Sequence, residues 1–128
     1  MITNKTRKTI LHRKFKICDN PASKSLGLMF RTKRYIQENA LIFTSKKPHF
    51  QGFHMFFVFY PIDMIFLDGD KKVVDMKKKF MPFTIYNSKA DAQYVIEADC
   101  GTIDASRTET GDMISWENSD DKNDFGKN

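Results

Sequence analysis

The sequence predicts a β-rich α+β fold: a single compact domain with a mostly antiparallel sheet or partly open barrel and one or two short helices. Three observations predict it. The chain has 128 residues, the length of one domain. Hydrophobic residues make up 41% and charged residues 29%, enough apolar material for a core and too much for a chain that stays unfolded. Its apolar runs are short, rich in aromatic and β-branched residues, and separated by Gly, Pro and Asp turn signals.

The elements follow in order. Residues 1–8 are polar and basic without periodicity and predict a flexible arm; the domain spans 9–116. Over 9–18, Leu11, Phe15 and Ile17 fall on one side of an alternation and His12, Lys14 and Lys16 on the other, a half-buried strand with a basic outer face. Asn20-Pro21 then starts a short helix to about Met29, Asn capping free N–H groups and Pro suiting the first helical position. Leu26, Met29 and Phe30 turn inward, and Arg31, Lys33 and Arg34 cluster at the helix end, where the macrodipole favours cations.

Residues 40–44 predict an apolar strand and 45–51 a polar loop. The run 53–60 is apolar on both alternating faces and predicts a strand covered on two sides. Pro61 offsets it before 62–67 resumes. Asp68-Gly69-Asp70 predicts a hairpin turn back through 71–76, on the argument that Gly tolerates positive φ. Ser88-Lys89-Ala90-Asp91 suggests a capped helical turn, 93–98 a strand, 101–107 one or two helical turns, and Gly111-Asp112 the entry to a last strand ending at Trp116. Residues 117–128 form a polar, acidic tail with the composition of disorder.

The net charge of +5 conceals a gradient. Residues 1–34 carry +9, residues 35–96 carry +2 and residues 97–128 carry −6. Charge breaks residues 1–16 too often for a secretory leader, and the apolar segment 53–67 is too short to span a bilayer and contains Pro61 and Asp63. The expectation is a cytoplasmic protein without membrane insertion. Cys18 and Cys100 have no metal or redox spacing, so they read as two quiet, mostly buried thiols or as a single bridge.

Gly27-Leu28-Met29-Phe30-Arg31, Ala40-Leu41-Ile42-Phe43, His54-Met55 leading to Pro61-Ile62-Asp63 and Phe66-Leu67-Asp68, Pro82-Phe83, Tyr86, Tyr94-Val95-Ile96-Glu97, Gly101 and Gly111-Asp112 follow one another at characteristic spacing. Over about 9–116 this order resembles the family catalogued as domain of unknown function 192, also called UPF0127, in its archaeal branch. Bacterial members more often carry Trp-Met-Lys-Asn-Thr before the Pro, where Phe56-Phe57-Val58 stands here. The resemblance implies a compact β-rich α+β domain and no established reaction.

Candidate functional residues are few. Asp63 sits in an apolar strand, where an ionised carboxylate needs a partner. Arg31 offers a guanidinium fork, so an Arg31–Asp63 pair with Glu97 and His54 could line a polar pocket. Alternatively, Asp63 caps backbone N–H groups released by Pro61, and His54 is a hydrogen-bonded wall residue. No His/Cys set has metal-ligand spacing, the Asp68, Asp70 and Asp75 set lacks the pattern of a calcium loop, and no cofactor motif is present. No metal or cofactor is therefore expected.

Three function classes compete. A binding module would use Arg31, His54, Asp63 and Glu97 for a small polar ligand or a protein partner. A nucleic-acid binder would use the basic surface of Lys14, Lys16, Lys33 and Arg34, which reads equally as a solvated face. An acid/base enzyme would need Asp63 and Glu97 close together.

Overall fold

The computed structural model describes residues 1–19, 28 and 31–117. In chain order these form β1 (Ile2–Asn4), β2 (Thr9–His12), β3 (Phe15–Cys18), α1 (Lys33–Glu38), β4 (Ala40–His49), β5 (Gly52–His54), β6 (Ile62–Leu67), β7 (Val73–Phe80), β8 (Ile85–Asn87), β9 (Ala92–Asp99), α2 (Thr102–Ser106) and β10 (Ile114–Trp116). A five-stranded sheet runs β3-β4-β9-β6-β7, a three-stranded sheet β10-β1-β2, and β5 and β8 make a separate ribbon. Every pairing is antiparallel except β3 with β4. The result is the β-rich α+β class, with open sheets and two short helices.

The five-stranded sheet is covered on both faces. In β6 every residue is buried. Ile62, Met64 and Phe66 join a cluster with Leu41, Phe43, Met55, Tyr60 and Val95. Ile65 and Leu67 join another with Ile2, Ile42, Ile96, Ile103 and Ile114. A strand buried on both sides reads as a continuous apolar run, not an alternation, and β6 is that strand. The run 53–60, expected to play this part, instead leaves the ribbon after His54. Phe57 takes a φ of 59°, the Val58 N–H reaches the Met55 carbonyl at 3.3 Å, and Met55, Val58 and Tyr60 turn inward while Phe56, Phe57 and Phe59 face outward.

Other expectations also change. The flexible arm over 1–8 is not what the structure contains, because β1 is the central strand of the small sheet and Ile2 and Asn4 are fully buried. Three residues are too few to show a period. The strand over 9–18 divides into β2 and β3, which belong to different sheets, and Ile17 ends up 48% exposed, opposite to its expected face. The helix expected over 21–29 lies outside the described residues except at the buried Leu28. Lys33 and Arg34, expected at a helix end, open α1 instead, and its Thr32 cap makes no side-chain hydrogen bond. Two cations at this end stand against the helix dipole and are unfavourable. Burial of Ile36, about 1.5–3 kcal/mol, offsets this, with help from the Arg34–Glu38 ion pair at 2.8 Å.

Residues 45–49 continue β4 in place of a loop, and 88–91 contain no helical turn. The β6–β7 hairpin forms as expected, but its left-handed position is Lys71, at φ 66°, and not Gly69. Asp68 Oδ1 closes the turn by accepting from the Asp70 and Lys72 N–H groups. A Cβ at Gly69 would meet Gln93 Oε1 at 2.9 Å, the end of a flexible side chain that can move aside, so neither φ nor space requires glycine there. Both cysteines are free; Cys18 is buried, whereas Cys100, expected to be mostly buried, is exposed. No helix among the described residues is long and apolar enough to cross a membrane.

Candidate functional site

Register decides which candidates can meet. In the β6–β9 pair Asp63 lies opposite Ala98 and Met64 opposite Glu97. Neighbouring residues along a strand point to opposite faces, so Asp63 and Glu97 lie on opposite sides of the sheet.

Asp63 is buried and accepts three backbone hydrogen bonds. Its Oδ1 takes the Lys79 N–H at 3.0 Å, and its Oδ2 takes Gly101 at 3.1 Å and Ile103 at 2.9 Å. The donors have a structural origin. Between Ile62 and Met64, β7 carries an extra residue, with Lys79 at φ 50°, and such a bulge frees an N–H. The Gly101 and Ile103 groups are the unsatisfied donors at the start of α2. The expected Arg31–Asp63 pair therefore does not form, and Asp63 caps a bulge and a helix start, not groups released by Pro61.

Glu97 has no comparable support. Its residue is 7% exposed, flanked on its sheet face by buried Leu41 and Met64, and α1 packs over β9 and β4. Oε2 has no hydrogen-bond partner among the described residues, and neither does the buried Tyr60 hydroxyl. Burial pushes the Glu97 carboxyl up to about 8, so it is largely protonated at neutral pH and can donate as well as accept. Burial likewise pushes the Tyr60 phenol up to about 12, with the Glu97 charge adding to the rise and Arg31 opposing it. The Cys18 thiol is also raised, first by burial and then by the Glu97 charge, with Arg31 again opposing. Both titrate where Glu97 is already ionised, so the effects are consistent. Glu97, Tyr60, Cys18 and Arg31 thus share one electrostatic neighbourhood.

Arg31 stands at its edge, its guanidinium carbon 4.1 Å from the Tyr35 ring centroid, and Lys16 Nζ lies 5.5 Å from the same ring. His54 is placed on the ribbon, exposed, its ring stacked 5.0 Å from that of Phe56 and its Nδ1 accepting the Phe56 N–H at 3.2 Å. Of the four expected pocket residues, the fold leaves Asp63 across the sheet from Glu97 and sets His54 on the ribbon. Lys14, Lys16, Lys33 and Arg34 are all exposed. Sequence reasoning missed Tyr60 and Cys18. Their available signals were a hydroxyl just before Pro61 in an otherwise apolar run, and a thiol closing an exposed strand.

A family model described as Uncharacterized ACR, COG1430, that of DUF192, matches residues 2–116. The chain belongs to the DUF192 family. The DUF192 chain is 37% identical over 117 residues to a UPF0127 protein of Thermococcus sibiricus, covering 91% of this chain and 75% of that one. It is 36% identical over 118 residues to a UPF0127 protein of Pyrococcus horikoshii, covering 91% and 98%. A crystal structure of a protein of unknown function from Novosphingobium aromaticivorans superposes with a TM-score of 0.72 at 26% identity, covering 80% of the DUF192 chain and 74% of its own. The names of these relatives assign no reaction.

Two DUF192 motif positions now have structural roles. Asp63 caps, as above. Asp112 accepts from Asn4 Nδ2 at 2.9 Å, Arg7 Nε at 3.1 Å and the Glu109 N–H at 2.9 Å. Burial pushes its carboxyl up, but the combined pull of Asn4, the Glu109 N–H and Arg7 prevails and holds it below the usual carboxylate range. Glu97 is the motif carboxyl left without such an account.

Proposed function

We propose that this DUF192 protein is a small binding module whose recognition groups are the Glu97 carboxyl and the Tyr60 hydroxyl. One observation carries the reading: two oxygens, Glu97 Oε2 and Tyr60 Oη, are buried with no hydrogen-bond partner among the described residues. A buried polar group left unpaired costs about 1–3 kcal/mol, a cost that a ligand bearing a donor and an acceptor relieves. The protonated carboxyl suits a neutral partner such as an amide or hydroxyl. Asp63 is taken up by backbone and stands across the sheet, so the acid/base pair of an enzyme has no support. Free Cys18 and Cys100 suit a reducing compartment, and we place the protein in the cytoplasm.

A thermal-shift screen with small neutral amides, polyols and their carboxylated analogues tests the site. At least one class should raise the melting midpoint of the wild type and leave Tyr60→Phe and Glu97→Leu unmoved. If no class shifts the wild type, or if a hit shifts both variants equally, the site is wrong.

A further inference from the structure

Two segments bring their aromatic side chains to the surface together. The Phe83 N–H donates to the Met55 carbonyl and the Met55 N–H to the Thr84 carbonyl, both at 2.8 Å, and His54 lies opposite Ile85 in the ribbon. These bonds hold residues 55–59 beside 81–85. Phe59 is 64%, Phe83 53% and Ile85 63% exposed, with Phe56 and Met81 also exposed. Large apolar side chains grouped in this way mark a contact surface, whereas scattered ones do not. The flanking sequence is rich in lysine, with Asp75 the carboxylate that lies against it, accepting from the Tyr86 hydroxyl and the Lys89 N–H. From residue 39 to 62 and from 76 to 90 the sequence contains no Asp or Glu, but it contains Lys46, Lys47, Lys77, Lys78, Lys79 and Lys89. Only Lys78 among them forms an ion pair with a described residue, Asp104.

We propose that the exposed face of Phe56, Phe59, Met81, Phe83 and Ile85, with lysines in the segments that flank it, docks on an anionic lipid surface, lying on it without spanning it. Apolar side chains entering the headgroup boundary beside lysines that meet lipid phosphates is the chemistry of interfacial attachment. Single-stranded nucleic acid fits less well, because Phe83 meets Phe57 and Phe59 edge to face and Met81 and Ile85 offer no flat ring for a base to stack on. A second copy fits less well too, since a symmetric contact sets the same patch against itself and would oppose lysine to lysine.

Co-sedimentation with vesicles tests the proposal, using phosphatidylcholine alone and phosphatidylcholine mixed with phosphatidylglycerol. The full chain should partition onto the anionic vesicles at low salt, release as salt rises, and ignore the neutral ones. Phe59→Ser/Phe83→Ser/Ile85→Ser, and separately Lys46→Gln/Lys47→Gln/Lys89→Gln, should each weaken partition roughly tenfold or more. Thermal melts verify that the variants fold, and Phe59→Ser alone replaces the triple variant should it unfold. Absence of partition at low salt, or equal partition of the serine variant, overturns the proposal. Retention on single-stranded RNA without vesicle binding overturns it in favour of nucleic acid. A concentration-dependent dimer that the serine variant abolishes, again without vesicle binding, overturns it in favour of self-association.

Discussion

Two carboxylates one strand apart have opposite fortunes, and the difference can be measured. Asp63 accepts three backbone N–H groups, each a charge-assisted bond. Asp63→Ala leaves those donors buried and should lower unfolding free energy by roughly 3–5 kcal/mol in urea titration; a loss below about 1 kcal/mol would contradict the capping role. Glu97 should behave in the opposite sense. Its folded value of about 8 lies above the ordinary 4.5. Across that window the folded chain keeps a proton that the unfolded chain has released, so stability falls as pH rises from about 4.5 to about 8 and then levels. Glu97→Gln cannot ionise. Its advantage over the wild type should therefore grow with pH to roughly 3–5 kcal/mol near pH 8.5, and parallel pH–stability curves for the two proteins would show that Glu97 does not carry this linkage.

At the scale of elements, the N-terminal strand is the least expected component. Because β1 sits between β2 and β10, deleting residues 1–8 should expose Ile114 and Leu11 and unpair β10. The midpoint of thermal unfolding should drop by about 7–12 °C, what a loss of 2–3 kcal/mol gives a domain of this size; an unchanged midpoint would mean that the small sheet adds nothing. Gly111 enters β10 at φ 96°, with open space where a Cβ would stand. Gly111→Ala should thus cost roughly 1–2 kcal/mol from backbone strain alone, read as a shift in the urea midpoint at constant slope. Some elements were legible because they obey a period or a turn rule: the β6–β7 hairpin from Asp68-Gly69-Asp70, β9 from its β-formers, and β10 from Gly111-Asp112. Others were not. β1 is shorter than any period, α1 begins against its own dipole, and 53–60 owes its course to a left-handed Phe57, which composition does not signal. For the site, a carboxylate in an apolar strand was visible as a problem, but whether backbone or ligand answers it depends on register, which sequence alone does not fix.

The molecule as a whole is two apolar clusters divided by one sheet. Residues alternate between the clusters along β6 and β9, so losing either cluster removes half the support of the shared strands. Unfolding should be a single cooperative event. Trp116, the only tryptophan, packs edge-on against Tyr94 at 5.2 Å and lies under Lys71 Nζ at 4.0 Å, which couples the small sheet to the hairpin turn. Its fluorescence and the far-ultraviolet circular dichroism should give coincident denaturation curves; a separate, earlier Trp116 transition would mean that the small sheet melts on its own. The charge gradient of the sequence is partly closed in space, with Arg7 paired to Glu109 and Asp112.

That closure also sets an order of events during synthesis. Asn4 and Asp112, joined by a buried hydrogen bond, are 108 residues apart in the chain, so β1 must wait for a strand made that much later. Until β10 leaves the ribosome, β1 and β2 have an unpaired edge and Ile2 has no completed core, a state in which strand edges attract the wrong partners. Nascent chains stalled before residue 112 should therefore be the ones that chaperones hold.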